Sequence, residues 1–114
     1  EMEEAEGLID PGCQASIVRL TYSDSGDRDR VLLAGLDSTT RENLTLRVSY
    51  DECQTWPVST ILYSGPAAYS DLAIAADGTA ICFYEAGVNG PYETLRLAQF
   101  NLEWLTEVSA EPAY

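Results

Sequence analysis

The chain has 114 residues, 46% of them hydrophobic, with 19 acidic side chains against six basic ones and a formal net charge of -13. That length suits one small domain with a buried core, and that hydrophobic content argues against disorder. The charge excludes a general nucleic-acid binder, which needs a basic face to displace counterions.

The opening Glu1-Met2-Glu3-Glu4 is the reverse of a basic leader and reads as a mature or truncated end. Residues 1–12 form an acidic lead-in that closes on the turn signal Asp10-Pro11-Gly12. Short strands separated by turns follow over 13–105. Ser16 to Tyr22 is rich in β-branched and aromatic residues, and Ser23 to Asp29 is a polar loop. Arg30 to Leu36 is an apolar run of buried-strand length. Leu44 to Tyr50 alternates apolar and polar residues, the mark of a half-buried strand. Asp51 to Pro57 is a turn. Val58 to Tyr63 is a strand closed by Ser64-Gly65-Pro66. Asp71 to Ala75 and Ala80 to Tyr84 flank Ala76-Asp77-Gly78-Thr79, the strongest hairpin signal in the chain. Glu93 to Phe100 is the last strand, Asn101 to Leu105 one helical turn, and 106–114 a tail. No apolar run approaches the roughly 20 residues that span a bilayer, so no transmembrane segment is predicted.

The reading gives about seven strands and no long helix, an all-β chain. Such spacing suits a sandwich, a barrel or propeller blades. A four-stranded blade takes roughly 40–50 residues, which fits about two blades.

Residue types narrow the chemistry. All six basic residues are arginine, and histidine is absent. Ser-His and Cys-His nucleophile pairs cannot form within the chain, and zinc sites that need His are excluded. Cys13, Cys53 and Cys82 are odd in number and form no CxxC, so neither a complete disulfide framework nor a zinc ribbon is expected. They read as buried, small apolar side chains. Asn43-Leu44-Thr45 reads as a chance match to the glycosylation sequon.

Ser49-Tyr50-Asp51-Glu52-Cys53-Gln54-Thr55-Trp56 resembles the Asp-box, a hairpin motif of the form S-x-D-x-G-x-T-W. Its role is structural. Asp51 caps backbone N–H groups of the turn, the Thr55 hydroxyl does similar work, and Trp56 packs beneath the hairpin that Ser49 opens. Cys53 stands where the motif has glycine, a strained choice if that position needs φ > 0.

A second resemblance is sharper. Ala68-Tyr69-Ser70-Asp71-Leu72, Ala76-Asp77-Gly78-Thr79 and Cys82-Phe83-Tyr84-Glu85 are similar to the nucleophile region of the exo-α-sialidases. Leu97 to Leu105 resembles the closing strand of bacterial-type members. Arg41 to Arg47 matches the segment of the family's third arginine, and Asp10 to Ser16 the strand entry before it. The likeness runs from about residue 8 to 105 in the family's order.

This resemblance implies the C-terminal part of a six-bladed propeller that releases terminal α-linked sialic acid with retention, through a sialyl-tyrosine intermediate. Sialylated glycans are then the partners, and no metal or other cofactor is called for. Tyr69 is the implied nucleophile. Sialidases are the tyrosine exception among retaining glycosidases. Their substrate carries a carboxylate on the anomeric carbon, where a carboxylate nucleophile would meet like-charge repulsion and a neutral phenol does not. The phenol needs a base, since its unperturbed pKa is about 10. Arg41 is the implied binder of the substrate carboxylate, because a guanidinium donates two parallel hydrogen bonds. Glu85 is implied to hold the first arginine of the family's triad. Asp71 shares a strand face with Tyr69 and takes no assigned role. The other arginines read as surface or structural charges.

The family's first two arginines, its acid/base aspartate and the glutamate that activates the tyrosine have no match here. The resemblance therefore implies that N-terminal blades complete the site. The rival reading is a noncatalytic Asp-box propeller that binds glycans or serves as a scaffold. A trans-sialidase would share the same residues. The sequence assigns no cellular location.

Overall fold

The computed structural model describes residues 5–107 and 109–113, with Ser25 described in its backbone alone. The strands are β1 (Ser16–Thr21), β2 (Arg30–Leu36), β3 (Glu42–Ser49), β4 (Val58–Ile74), β5 (Ala80–Ala86) and β6 (Thr94–Phe100), and the helical turn α1 is Leu102–Leu105. They form an antiparallel meander in which each strand pairs with the next in sequence. The all-β expectation holds. Among the described residues no helix is long and apolar enough to cross a membrane.

Among the described residues the expected seven strands are six. Val58–Tyr63 and Asp71–Ala75 are expected as separate strands, yet all of these residues but Ala75 lie on the one 17-residue strand β4. Its first half pairs with β3, from Val58 opposite Val48 to Pro66 opposite Glu42. Its second half pairs with β5, from Ala67 opposite Ala86 to Ile74 opposite Ala80. Gly65-Pro66 thus marks a change of partner, not an end. Proline has no N–H for a ladder, so it suits the point where one ladder stops. The Pro66 carbonyl is still used, accepting the Gly87 N–H at 3.0 Å. β1 to β3 with the first half of β4 make one four-stranded unit. The second half of β4 with β5 and β6 begins another.

The sheet curls so that β1 meets the second half of β4. The Ser16 Oγ accepts the Leu72 N–H at 2.9 Å, and the Ser70 hydroxyl donates to the Ala34 carbonyl at 3.5 Å. The concavity is packed with Leu32, Leu44, Leu46 and Val48 of β2 and β3, Val58 of β4, and Leu105 of α1, all fully buried. Burying each leucine contributes roughly 1.5–3 kcal/mol, so this layer fixes the loops that hang from it. Cys13 and Cys82 are buried as expected, and burial pushes the Cys82 thiol up to about 12. Cys53 departs from that expectation and is only half-buried.

Local chemistry sets the turns. Asp10 Oδ1 accepts the N–H groups of Gly12 and Cys13, both at 2.7 Å. Gly78 takes a left-handed φ of 88° in the β4–β5 hairpin, where its N–H reaches the Ala75 carbonyl at 2.9 Å. Asn101 caps α1 by accepting the Trp104 N–H at 2.9 Å. Asn43 bulges β3 with φ 63°, and its amide donates to the Asp37 carbonyl at 3.1 Å. The sequon's asparagine is therefore engaged, and its Thr45 is 2% exposed.

The tail is tied down more firmly than its composition suggests. Arg30, only 4% exposed, donates from Nε to Glu111 at 2.8 Å and from Nη1 to Asp27 at 2.9 Å. Arg28 donates to the Pro112 carbonyl at 2.8 Å. Burial alone would raise the Glu111 carboxyl, but the hydrogen bonds and charge of Arg30 outweigh it and hold it below its ordinary value.

The Asp-box turn matches the motif's logic. The Ser49 hydroxyl donates to Asp51 Oδ1 at 2.8 Å and accepts the Cys53 N–H at 2.9 Å. Asp51 Oδ1 accepts the Gln54 and Thr55 N–H groups at 3.1 and 2.8 Å, while Oδ2 accepts the Thr55 hydroxyl at 2.6 Å. Glu52, at the tip, takes a bidentate pair from Arg19 of β1, both contacts 2.7 Å. Trp56 is half-buried, its indole N–H enclosed without a partner among the described residues. Glu52 and Cys53 both sit in the left-handed region, at φ 57° and 71°.

Two outcomes follow from this turn. The Thr55 hydroxyl and N–H, with Ser49 and Gln54, hold the Asp51 carboxyl down at about 2. A carboxyl depressed on folding contributes stability above its unfolded pKa of about 3.9 and loses it as pH falls toward the folded value. Urea unfolding of the parent should therefore weaken between about pH 4 and 2, and Asp51→Asn should flatten that slope. An identical pH profile in the variant would remove Asp51 as the hub. Replacing Cys53 by Gly relieves a left-handed cost of roughly 1–2 kcal/mol against about 0.5–1 kcal/mol of added chain entropy. The variant should gain up to about 1.5 kcal/mol in stability, and a loss would show that the thiol's packing matters more than the backbone.

Candidate active site

Arg41 ends the β2–β3 loop, one residue before β3. Leu44 and Leu46 anchor that strand in the core, and the Arg41 carbonyl accepts the Ala67 N–H of β4 at 3.1 Å. The arginine is thus fastened to the second unit at the residue where β4 changes partner. Its guanidinium carbon stands 5.7 Å from the centroid of the Tyr69 ring.

Tyr69 lies just beyond, on β4. Ala68 and Ser70 on either side are 2% and 4% exposed, whereas Tyr69 is 44% exposed. Strand alternation therefore aims its phenol outward, with Asp71 on the same side. Pairing with β5 shifts between Ala67 and Ser70, a bulge of the kind that re-aims side chains at sheet rims. Glu85 of β5 fills the gap, its Oε1 accepting the Tyr69 N–H at 3.2 Å. Tyr69, Asp71, Glu85, Phe83, Leu95 and Gln14 line a cleft of about 200 Å³. Arg41 is not part of that lining and stands over the Tyr69 ring instead.

Among the described residues Arg41 and Arg96 stand outside the ion pairs that engage the other arginines, Arg96 donating to the Thr94 hydroxyl on β6. Arg19, Arg28, Arg30 and Arg47 are each ion-paired with a carboxylate. Among the described residues Arg41 has no carboxylate within 4.0 Å. Its polar partner is the Tyr92 hydroxyl, which accepts from Nη1. That contact raises the Arg41 pKa further and leaves its positive charge uncompensated. The Cys13 thiol is close enough to feel both Arg41 and Glu85, but burial raises it, so it is no thiolate at neutral pH.

The residues singled out in the sequence thus gather in part. Arg41, Tyr69 and Glu85 meet at one rim, and Asp71 shares it, accepting from the Ser16 hydroxyl at 3.4 Å. The Asp-box residues Ser49, Asp51, Thr55 and Trp56 form a separate turn. Sequence reasoning missed Tyr92. It sits in the β5–β6 loop after Gly90-Pro91, 51 positions from Arg41, and no local periodicity marks it.

No family model matches the chain. It is 39% identical over 108 residues to a sialidase of Micromonospora viridifaciens, an alignment that takes 90% of this chain and 16% of that protein. Among solved structures it is similar to the Hadza microbial sialidase Hz136, with a TM-score of 0.69 and 25% identity over 83% of this chain and 18% of that one. The chain spans less than a fifth of the length of either protein.

Proposed function

Because the chain belongs to the sialidase family, we propose that it supplies one sector of an active site that cleaves terminal α-linked sialic acid from glycans. The observation that carries this reading is the uncompensated Arg41 guanidinium 5.7 Å from the ring of an exposed tyrosine. Arg41 binds the substrate carboxylate, and Tyr69 is the nucleophile beside it.

The chemistry divides as follows. Bidentate hydrogen bonds from Arg41 hold the carboxylate still, roughly 1.5–3 kcal/mol for each bond to a charged group. The Tyr69 oxygen attacks the anomeric carbon as the bond to the leaving glycan breaks. Its phenolic proton passes to a base that this chain does not supply. An acid outside this chain protonates the departing glycan oxygen, and water then attacks opposite the tyrosine, on the face the glycan vacated, so configuration is retained. Glu85 fixes the backbone of Tyr69 through Oε1 and leaves Oε2 for an arginine contributed by another blade. Cleavage by the chain alone is not expected, because the acid/base groups lie outside it. Purified 114-residue protein should leave a fluorogenic sialoside intact.

In a full-length enzyme carrying this segment, Tyr69→Phe should lower kcat about 100-fold or more with little change in KM, since it removes an interaction made only during reaction. Arg41→Ala should raise KM about 10- to 100-fold. A fluorinated sialic acid that stalls at the covalent stage should add its mass to the peptide bearing Tyr69. A noncatalytic glycan-binding propeller would bind sialosides yet show neither turnover nor that adduct. Full activity of the Tyr69→Phe enzyme would overturn the assignment.

A further inference from the structure

We propose that Tyr92 is a positioning residue for Arg41, holding the guanidinium so that its free N–H groups face an anion beside Tyr69. The inference rests on the reading of Arg41 as the carboxylate-binding group and adds a determinant of substrate affinity to it. Three observations carry it.

The first is the contact itself. The Tyr92 oxygen accepts from Arg41 Nη1, and the guanidinium carbon lies 5.7 Å from the Tyr92 centroid, the same distance as from Tyr69. Tyr69 offers the cation its ring, while Tyr92 reaches it through its hydroxyl oxygen, so two phenols flank one guanidinium. A guanidinium on a flexible stem loses rotamer freedom when it binds, so holding it beforehand removes part of that cost.

The second is that the loop carrying Tyr92 is built, not slack. Glu93 Oε1 accepts the N–H groups of Val88, Asn89 and Gly90 at 2.6, 2.6 and 3.1 Å. The Tyr63 hydroxyl donates to the Gly87 carbonyl at 2.5 Å, and the Gly87 N–H donates to Pro66. A side chain at Gly87 would place its Cβ 2.1 Å from the Gly90 carbonyl oxygen, so the loop closes tightly on itself. The loop is bolted at Pro66 and Arg41 at Ala67, adjacent residues of β4. Both partners of the contact are fixed to one point of the strand.

The third is charge. A carboxylate in the place of Tyr92 would neutralise Arg41 and compete with an incoming anion. A neutral phenol orients the group and leaves its charge for the ligand.

Two measurements test this. In the 114-residue chain with 15N-labelled arginine, the Arg41 guanidinium signals, identified by their loss in Arg41→Lys, should show slowed Cζ–Nη rotation in the parent and free rotation in Tyr92→Phe. Unfolding of that variant should match the parent. In full-length enzyme Tyr92→Phe should raise KM for a sialoside about 10-fold with kcat within about twofold, the signature of lost ground-state and transition-state binding together. If Arg41→Ala raises KM while Tyr92→Phe changes neither KM nor the guanidinium signals, Tyr92 has no positioning role and the Arg41 reading stands. A KM unchanged by Tyr92→Phe despite altered signals also overturns the proposal. If Arg41→Ala itself leaves KM unchanged, the parent reading fails and the inference with it.

Discussion

The site depends on a change of partner in one strand. At Pro66 and Ala67, β4 stops bonding to β3 and begins bonding to β5. The groups freed at that step are taken up by the loops of the site: the Pro66 carbonyl by Gly87, the Ala67 N–H by Arg41. Two residues later the bulge turns Tyr69 outward and Glu85 accepts its N–H. Arg41, Tyr69, Glu85 and Tyr92 come from four separate stretches of chain. They converge because each is indexed to the same short stretch of backbone. Buried polar groups of the main chain must be paired, so the crossover cannot form without those loops in place.

The charge distribution is compatible with an anionic ligand despite its overall sign. A net charge of -13 disfavours the approach of any anion. At physiological salt, exposed charges beyond about 8 Å are largely screened, so the local field at the rim decides. There the arginine faces phenols, while Arg19, Arg28, Arg30 and Arg47 are consumed by carboxylates. An acidic surface is thus compatible with one guanidinium left open to an anion.

How much of this was legible in the sequence follows from how local each interaction is. Asp10, Asp51, Asp77 and Asn101 bond to backbone N–H groups two to four residues on, and each was readable as a turn or cap. Cys53 in place of glycine signalled a left-handed residue for the same reason. The apolar run in β2 gave its burial correctly, whereas the alternation in β3 understated it, since Thr45 and Ser49 on its polar face are buried too. The continuity of β4 was not readable, because Ser64-Gly65-Pro66 ends most strands and here only bends one. Tyr92 over Arg41 and Glu111 on Arg30 join residues 51 and 81 positions apart. Contacts at that range leave no trace in spacing or periodicity. The family resemblance supplied Arg41, Tyr69 and Glu85, and it had nothing to say about a loop residue outside the matched motifs.

The Asp-box has a consequence for the order of assembly. The hydrogen bonds of its Ser49, Asp51 and Thr55 side chains all fall within residues 49–55. Closing so short a loop takes on the order of 10–100 ns and little chain entropy. The Arg30–Glu111 pair spans 81 positions and waits for the intervening strands. The expected order of collapse therefore runs from an early clasp between β3 and β4 to a late one at the tail. A lesion at the clasp slows acquisition of the sheet, whereas a lesion at the tail chiefly hastens its loss.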